Sequence, residues 1–291
     1  MKIIDVSYHN GAINFEKVKA DGIDGVIIRA GYGRGHIDKK FHDYIEACNK
    51  LDIPVGIYWF SYAFSVGMAR QEAEHCLAAI RKYKVDLPVF FDWEYDSMSY
   101  AKKNGVNPGK SLITLMNAAF CKVIAAAGYK AGFYFNLDYA RHLIDVPAVG
   151  PYVTWYARYA SAPAYDCDLW QYTSGGHVSG IAGRVDMNKV INKAAFSVKV
   201  SGKTDGAKKP AKKKTDRVIV KIYGGISMPK IKKGSKGKTV RIWQEILGVD
   251  VDGIFGPKTE AATKKLQKKH GIDDTGIVGE KTWKAGLESL K

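Results

Sequence analysis

Four acidic residues stand where β-rich runs of the sequence end. Asp5 follows Lys2-Ile3-Ile4, Asp92 and Glu94 close Pro88-Val89-Phe90-Phe91-Asp92-Trp93-Glu94, and Asp186 lies in Val185-Asp186-Met187-Asn188. One residue separates Asp92 from Glu94, so the period of two along a strand sends both side chains to one face. Glycosidic bond cleavage requires such a set: one carboxylic acid protonates the leaving oxygen and a carboxylate supports the opposite face. Crowding like charges raises one pKa and keeps an acid protonated near neutral pH. A lone aspartate at a strand end is ordinarily a helix cap, so the candidate is the set. Tyr58, Trp59, Tyr134, Trp155, Tyr156, Trp170 and Gln171 occupy the other strand ends. Flat apolar sugar faces stack on such rings, although each ring taken singly is more often a core residue than a ligand platform.

Other chemistries find less support. The seven histidines form no HExxH or other close metal pair, so neither a metal nor a cofactor is expected. Gly31-Tyr32-Gly33-Arg34-Gly35 lacks the spacing of a phosphate loop and reads as a strand-end turn. Cys48, Cys76, Cys121 and Cys167 are widely spaced, and free, mostly buried thiols are the expectation.

The elements that must position these acids alternate between strand and helix patterns. Strand signals fall at Lys2–Asp5, Gly25–Ala30, Pro54–Phe60, Pro88–Glu94 and Ala131–Asn136, with weaker ones at Tyr152–Arg158, Asp168–Tyr172 and around Val185. The clearest helix is predicted from Ser111 as N-cap to Gly128 as C-cap. The fold class is α/β: an incomplete TIM-like (β/α) barrel over residues 1–196, with a second, small all-α domain. In such a barrel the C-terminal strand ends converge on one mouth, which would gather the four acids.

The 291-residue chain carries a net charge of +16, unevenly placed: residues 198–291 hold +13 and residues 1–197 only +3. Such a field favours polyanionic partners. Ser201–Thr215 is rich in Lys, Gly, Ala and Pro and reads as an extended linker within residues 197–233. A β-like run, Val218–Tyr223, follows. From residue 234 to 291 the pattern is helical, with three short helices expected around Val240, Trp243, Leu247, Phe255, Leu266 and Trp283. Gly253-Ile254-Phe255-Gly256-Pro257-Lys258-Thr259 recurs as Gly276-Ile277-Val278-Gly279-Glu280-Lys281-Thr282.

Residues 1–196 resemble the glycoside hydrolase family 25 lysozymes. The matching motifs are Asp5-Val6-Ser7-Tyr8-His9-Asn10-Gly11, Gly56-Ile57-Tyr58, Asp92-Trp93-Glu94, Trp155-Tyr156-Ala157-Arg158-Tyr159, Leu169-Trp170-Gln171-Tyr172 and Val185-Asp186-Met187-Asn188. Arg29-Ala30-Gly31-Tyr32-Gly33 departs from the family's Lys-x-Ser/Thr-Glu-Gly and lacks its auxiliary carboxylate. The resemblance implies a 1,4-β-N-acetylmuramidase with Glu94 as general acid. Asp92 would assist the substrate's N-acetyl group or stabilise positive charge, and Asp5 and Asp186 would position the sugar or hold the pKa values. Tyr58, Tyr134, Trp155 and Gln171 would bind substrate. Residues 234–291 resemble the three-helix peptidoglycan-binding module through Asp252-Gly253-Ile254-Phe255-Gly256-Pro257-Lys258-Thr259 and Thr282-Trp283.

The expected partner is bacterial peptidoglycan, with anionic wall polymers behind the basic charge. Nucleic acid is not expected, because no aromatic interrupts Ser201–Thr215, and neither is membrane insertion. With no signal peptide read at Met1-Lys2-Ile3-Ile4-Asp5, the expectation is an endolysin made in the host cytoplasm or, second, an autolysin. A chitinase-like hydrolase would want an Asp-x-x-Asp-x-Asp-x-Glu run, which Leu87–Phe91 does not supply. A non-catalytic basic wall binder is the alternative from another class.

Overall fold

In the computed structural model, which describes residues 1–197, 230–249 and 252–289, every β-rich run of the N-terminal part becomes a strand. The linker Ser201–Thr215 and the run Val218–Tyr223 lie outside the described residues. These strands are β1 (Lys2–Val6), β2 (Gly25–Tyr32), β4 (Val55–Phe60), β5 (Val89–Asp92), β6 (Ala131–Asn136), β7 (Val153–Ala157), β8 (Leu169–Gly176) and β9 (Val185–Val190). An unanticipated ninth, β3 (His36–Ile37), pairs back on β2 as an antiparallel hairpin.

Pairing runs β1–β2–β4–β5–β6–β7–β8–β9 and returns to β1, so eight strands close into a barrel. All neighbours are parallel except around β9, which runs antiparallel to both β8 and β1. Alternation along the strands brings Ile3, Ile27, Tyr58, Phe90, Trp155, Leu169 and Val190 into one interior cluster. Gly132 makes room there, because a Cβ at that position would lie 2.5 Å from the Phe90 ring. Residues of opposite parity face the helices: Trp59 stacks on His75, and Phe91 packs on Phe120. Each such buried ring contributes roughly 1.5–3 kcal/mol of burial free energy.

The helices are α1 (Phe15–Ala20), α2 (Phe41–Lys50), α3 (Val66–Ile80), α4 (Tyr95–Lys103), α5 (Lys110–Ala126) and the short α6 (Val146–Val149). Helix α5 starts ahead of Ser111: its N-cap is Gly109 and its C-cap Ala127, with Gly128 just beyond at φ 90°. A serine's preference for the cap, worth about 1 kcal/mol, is overridden here. No helix separates β7 from β8 or β8 from β9. All four cysteines are free, and only Cys167 is not buried.

The C-terminal unit contains α7 (Lys238–Leu247), α8 (Pro257–Lys269) and α9 (Glu280–Ser289). Val240, Trp243, Phe255, Leu266 and Trp283 meet in its core with Ile231 and Val278, while Leu247 packs at the edge. The sequence repeat becomes a repeated bond set. Gln244 Oε1 accepts the Gly253 N–H (2.8 Å), and its Nε2 donates to the Ile254 carbonyl (3.0 Å) and Thr259 Oγ1 (2.9 Å). Gln267 Oε1 accepts the Gly276 N–H (2.9 Å), and its Nε2 donates to the Ile277 carbonyl (2.9 Å) and Thr282 Oγ1 (3.0 Å). Gly253 and Gly276 sit at φ 75° and 70°, a conformation that favours glycine in both turns. A buried glutamine amide thus holds each glycine turn against the preceding helix.

Removing either amide strands a buried N–H and carbonyl, at about 1–3 kcal/mol. Gln244→Leu and Gln267→Leu should therefore each lower the unfolding midpoint of the C-terminal unit by a similar amount. Thermal melts that separate strongly for the two variants would contradict the equivalence of the two turns.

Candidate active site

The mouth of the barrel, at the C-terminal ends of the parallel strands, collects the acids. Asp5 lies near the end of β1, directly opposite Asp186 in the cross-strand register. Asp186 was expected to end its strand, but it is the second residue of β9. It reaches the mouth because β9 runs antiparallel, which places its first residues where the other strands finish. Directly opposed carboxylates on one face repel and destabilise a sheet, so this pairing needs another reason to exist.

Asp92 closes β5 and is buried, whereas Glu94, two residues on, is half-buried at the N-cap of α4. The two carboxyls hydrogen-bond each other. Trp93 between them points away, buried, with Nε1 donating to the Ala63 carbonyl at 2.9 Å.

Burial drives the electrostatics of all four acids. Desolvation, then the charge of Asp186, pushes Asp5 up to about 8 against the pull of Asn188 and Gln171 hydrogen bonds. Asp92 is held well above the usual carboxylate range by burial, by Glu94 and by Asp5, with Arg29 opposing. Glu94 is raised by burial, with the Asp92 hydrogen bond pulling it back and Asp96 and Asp186 adding to the rise. Burial also raises Asp186. Burial and mutual contact therefore raise Asp92 and Glu94 together and link their titrations.

Two amides hold Asp5. Gln171 Nε2 and Asn188 Nδ2 both donate to its Oδ2, at 3.0 and 2.7 Å. Their carbonyl oxygens are occupied in turn: Gln171 Oε1 accepts from Tyr134 (3.1 Å) and Tyr159 (3.3 Å), and Asn188 Oδ1 from Trp155 Nε1 (2.7 Å). The rings thus fix which way each amide faces. Tyr58 and Trp155 are buried in the barrel core, Tyr134 packs against the same cluster, and Gln171 bonds Asp5 directly. Trp59, Tyr156 and Trp170 have the opposite strand parity and pack outside the barrel, which corrects their reading as sugar platforms.

Asn188, Tyr159 and Arg29 are site residues that sequence reading missed. Asn188 lies two residues from Asp186, so the period of two could have found it. Arg29 pairs with buried Asp38 at 2.8 Å and stands over the rings of Tyr8 and Tyr32. Asp38 lies beyond the departure at residues 29–33 and gives this part of the chain a carboxylate of its own. Tyr8, Tyr95 and Tyr159 are exposed. Among the described residues, no group of three or more His, Cys, Asp or Glu side chains could hold a metal ion.

A model of the glycosyl hydrolases family 25 matches residues 4–181, more than half of the chain. The chain belongs to glycosyl hydrolase family 25. It is therefore an enzyme that hydrolyses glycosidic bonds. A second model, described as "Putative peptidoglycan binding domain", matches residues 243–285. The autolytic lysozyme of Clostridium acetobutylicum is 25% identical over 280 residues, 94% of this chain and 74% of the relative. The modular autolysin LytC of Streptococcus pneumoniae is 31% identical, with a TM-score of 0.57 over 64% of this chain. That match spans only 46% of the autolysin's length, and the same autolysin is also known in complex with a synthetic peptidoglycan ligand. The catalytic domain of the endolysin ply40 from Listeria monocytogenes bacteriophage P40 is 25% identical, with a TM-score of 0.58, covering 68% of this chain and 98% of that one.

Folding raises the Asp5 pKa, so the folded state keeps a proton that the unfolded chain releases near pH 4. The stability this group contributes is present below about pH 4 and is lost as pH rises towards about 8. Asp5→Asn removes the titration. The melting midpoint of the variant relative to wild type should climb steadily between pH 4.5 and 8, and an offset independent of pH would refute the assignment.

Proposed function

We propose that this enzyme is a muramidase that cuts the β-1,4 bond between N-acetylmuramic acid and N-acetylglucosamine in bacterial peptidoglycan. The Asp92–Glu94 pair carries this reading, because a buried carboxyl in contact with a half-buried one favours keeping a proton to give near neutral pH. Glu94 is the general acid: it is the less buried of the two and stands nearer the open mouth. Asp92 supports the substrate's N-acetyl group or developing positive charge from below. Asp5 and Asp186 face the same space and position the sugar. Tyr134 and Gln171 contact substrate directly, with Tyr58 and Trp155 shaping the floor.

The barrel is read as a TIM-like one that has lost its last helices, spanning residues 1–196. Residues 197–233 are a lysine-rich tether, and residues 234–291 are the wall-binding module. Relatives named as autolysins and endolysins favour a wall-lytic role, with peptidoglycan and anionic wall polymers as partners. Among the described residues no helix is long and apolar enough to cross a membrane.

Purified protein should lyse walls and release new reducing ends at N-acetylmuramic acid. Glu94→Gln should lose at least the roughly 100-fold that general acid catalysis contributes, while its melting curve stays cooperative. Release of amino groups alone, or near-normal turnover in folded Glu94→Gln, would overturn the reading.

The tether makes a second expectation. A chain ending near Phe196 should cleave soluble muropeptide oligomers about as fast as the full chain, yet work more slowly on intact walls. That deficit should shrink as added salt screens the +13 region. Loss of soluble-substrate turnover on truncation would show instead that the module completes the barrel's fold.

A further inference from the structure

Glu72 lies on α3, outside the set of four acids, and is only 2% exposed. Its Oε1 accepts the Tyr62 N–H at 3.0 Å, and the Ser61 hydroxyl bonds the same carboxyl. Oε2 is buried without a hydrogen-bond partner. Burial pushes this carboxyl up to about 7, with the two hydrogen bonds pulling it back. A buried acid with one idle oxygen is costly where a leucine would pack, so its contacts have to supply the reason for it.

Those contacts lead to the reacting pair. Residues 61–63 connect β4 towards α3 and run beside the end of β5. Ser61 N–H donates to the Asp92 carbonyl at 2.7 Å. The Ser61 carbonyl accepts from Ser97 Oγ (2.5 Å), which itself accepts the Glu94 N–H (3.0 Å). The Ala63 carbonyl accepts from Trp93 Nε1 (2.9 Å), and Ala63 N–H donates to Ser61 Oγ (3.0 Å). Ser61 and Ala63 therefore bind Asp92 and Trp93 directly and Glu94 through Ser97. Glu72 holds the same segment at Ser61 and at Tyr62, between the two residues that make these bonds.

We propose that Glu72 is a positioning residue that fixes the Asp92–Glu94 pair through the backbone of Ser61–Ala63. Misplacing a reacting group by about 1 Å can cost roughly 100-fold in rate without any change in the group itself. What Glu72 supplies is an acceptor oxygen at a fixed place. Glutamine keeps that acceptor and leucine lacks it. The proposal rests on the reading of Asp92 and Glu94 as the reacting pair, which wild-type turnover and its loss in Glu94→Gln establish separately.

The experiment compares full-length Glu72→Leu, Glu72→Gln and Ser61→Ala on soluble muropeptide oligomers, with melting curves for each. Glu72→Leu should lower kcat by roughly tenfold or more with KM within about threefold of wild type, and should move the pH profile of kcat. Glu72→Gln should restore most of the rate and the wild-type profile. Should Glu72→Leu fail to fold, Ser61→Ala decides, with an expected severalfold fall in kcat at unchanged KM. A folded Glu72→Leu with kcat within about twofold of wild type overturns the proposal. So does a Glu72→Gln as impaired as Glu72→Leu, or a Ser61→Ala with normal kcat beside an unfolded Glu72→Leu. A wild-type enzyme that releases no reducing ends would sink the muramidase reading instead.

Discussion

Four carboxyls within electrostatic reach of one another, in a mouth that buries two of them almost wholly, cannot all be ionised at neutral pH. Asp5 and Asp92 are nearly dry; Asp5 feels Asp186 and Glu94, and Asp92 feels Glu94 and Asp5. In water these repulsions would be small, but desolvation strengthens them and lets hydrogen bonds decide where protons rest. The closed sheet creates this situation by bringing β1, β5 and β9 to one rim. A fold selected for stability alone would not place Asp5 opposite Asp186. Repulsion of this kind is a mark of active sites.

The surrounding side chains set Asp5 apart from the Asp92–Glu94 pair. Asp5 receives two amide donors whose orientation is locked by Tyr134, Tyr159 and Trp155, so it is a fixed acceptor at the side of the cleft. Asp92 has an oxygen with no hydrogen-bond partner and shares its other contacts with Glu94. That pair is able to exchange a proton, while the Asp5 side is held in place. Arg29 counters part of the repulsion on Asp92, and Asp38 keeps the guanidinium where it stands.

Much of this was legible in the sequence, because strand periodicity is local. All eight barrel strands and the three C-terminal helices sit where apolar patterning put them, and the acids at strand ends were visible as a set. Strand direction was not visible. Asp186 arrives at the mouth by starting an antiparallel strand, and nothing in Val185-Asp186-Met187-Asn188 reports direction. Partners remote in sequence were also hidden: the amides that hold Asp5 lie 166 and 183 residues away. Trp59, Tyr156 and Trp170 were misread for a different reason, since parity alone assigns them to the outer face. In the C-terminal unit the glycine repeat was plain, but the glutamines that give it meaning sit in the preceding helices, nine residues before each glycine.

The central claim is that the folded mouth retains a carboxyl proton at neutral pH, divided between Asp92 and Glu94. Carboxyl carbon chemical shifts of protein labelled with carbon-13 in Asp and Glu side chains, followed from pH 3 to 9, test this directly. The account predicts that, besides Asp5 and Glu72, a carboxyl signal assigned to Asp92 or Glu94 by its loss in Asp92→Asn or Glu94→Gln is still protonated at pH 7. Signals of Asp92 and Glu94 both ionised by pH 6, each in a single independent step, would contradict it.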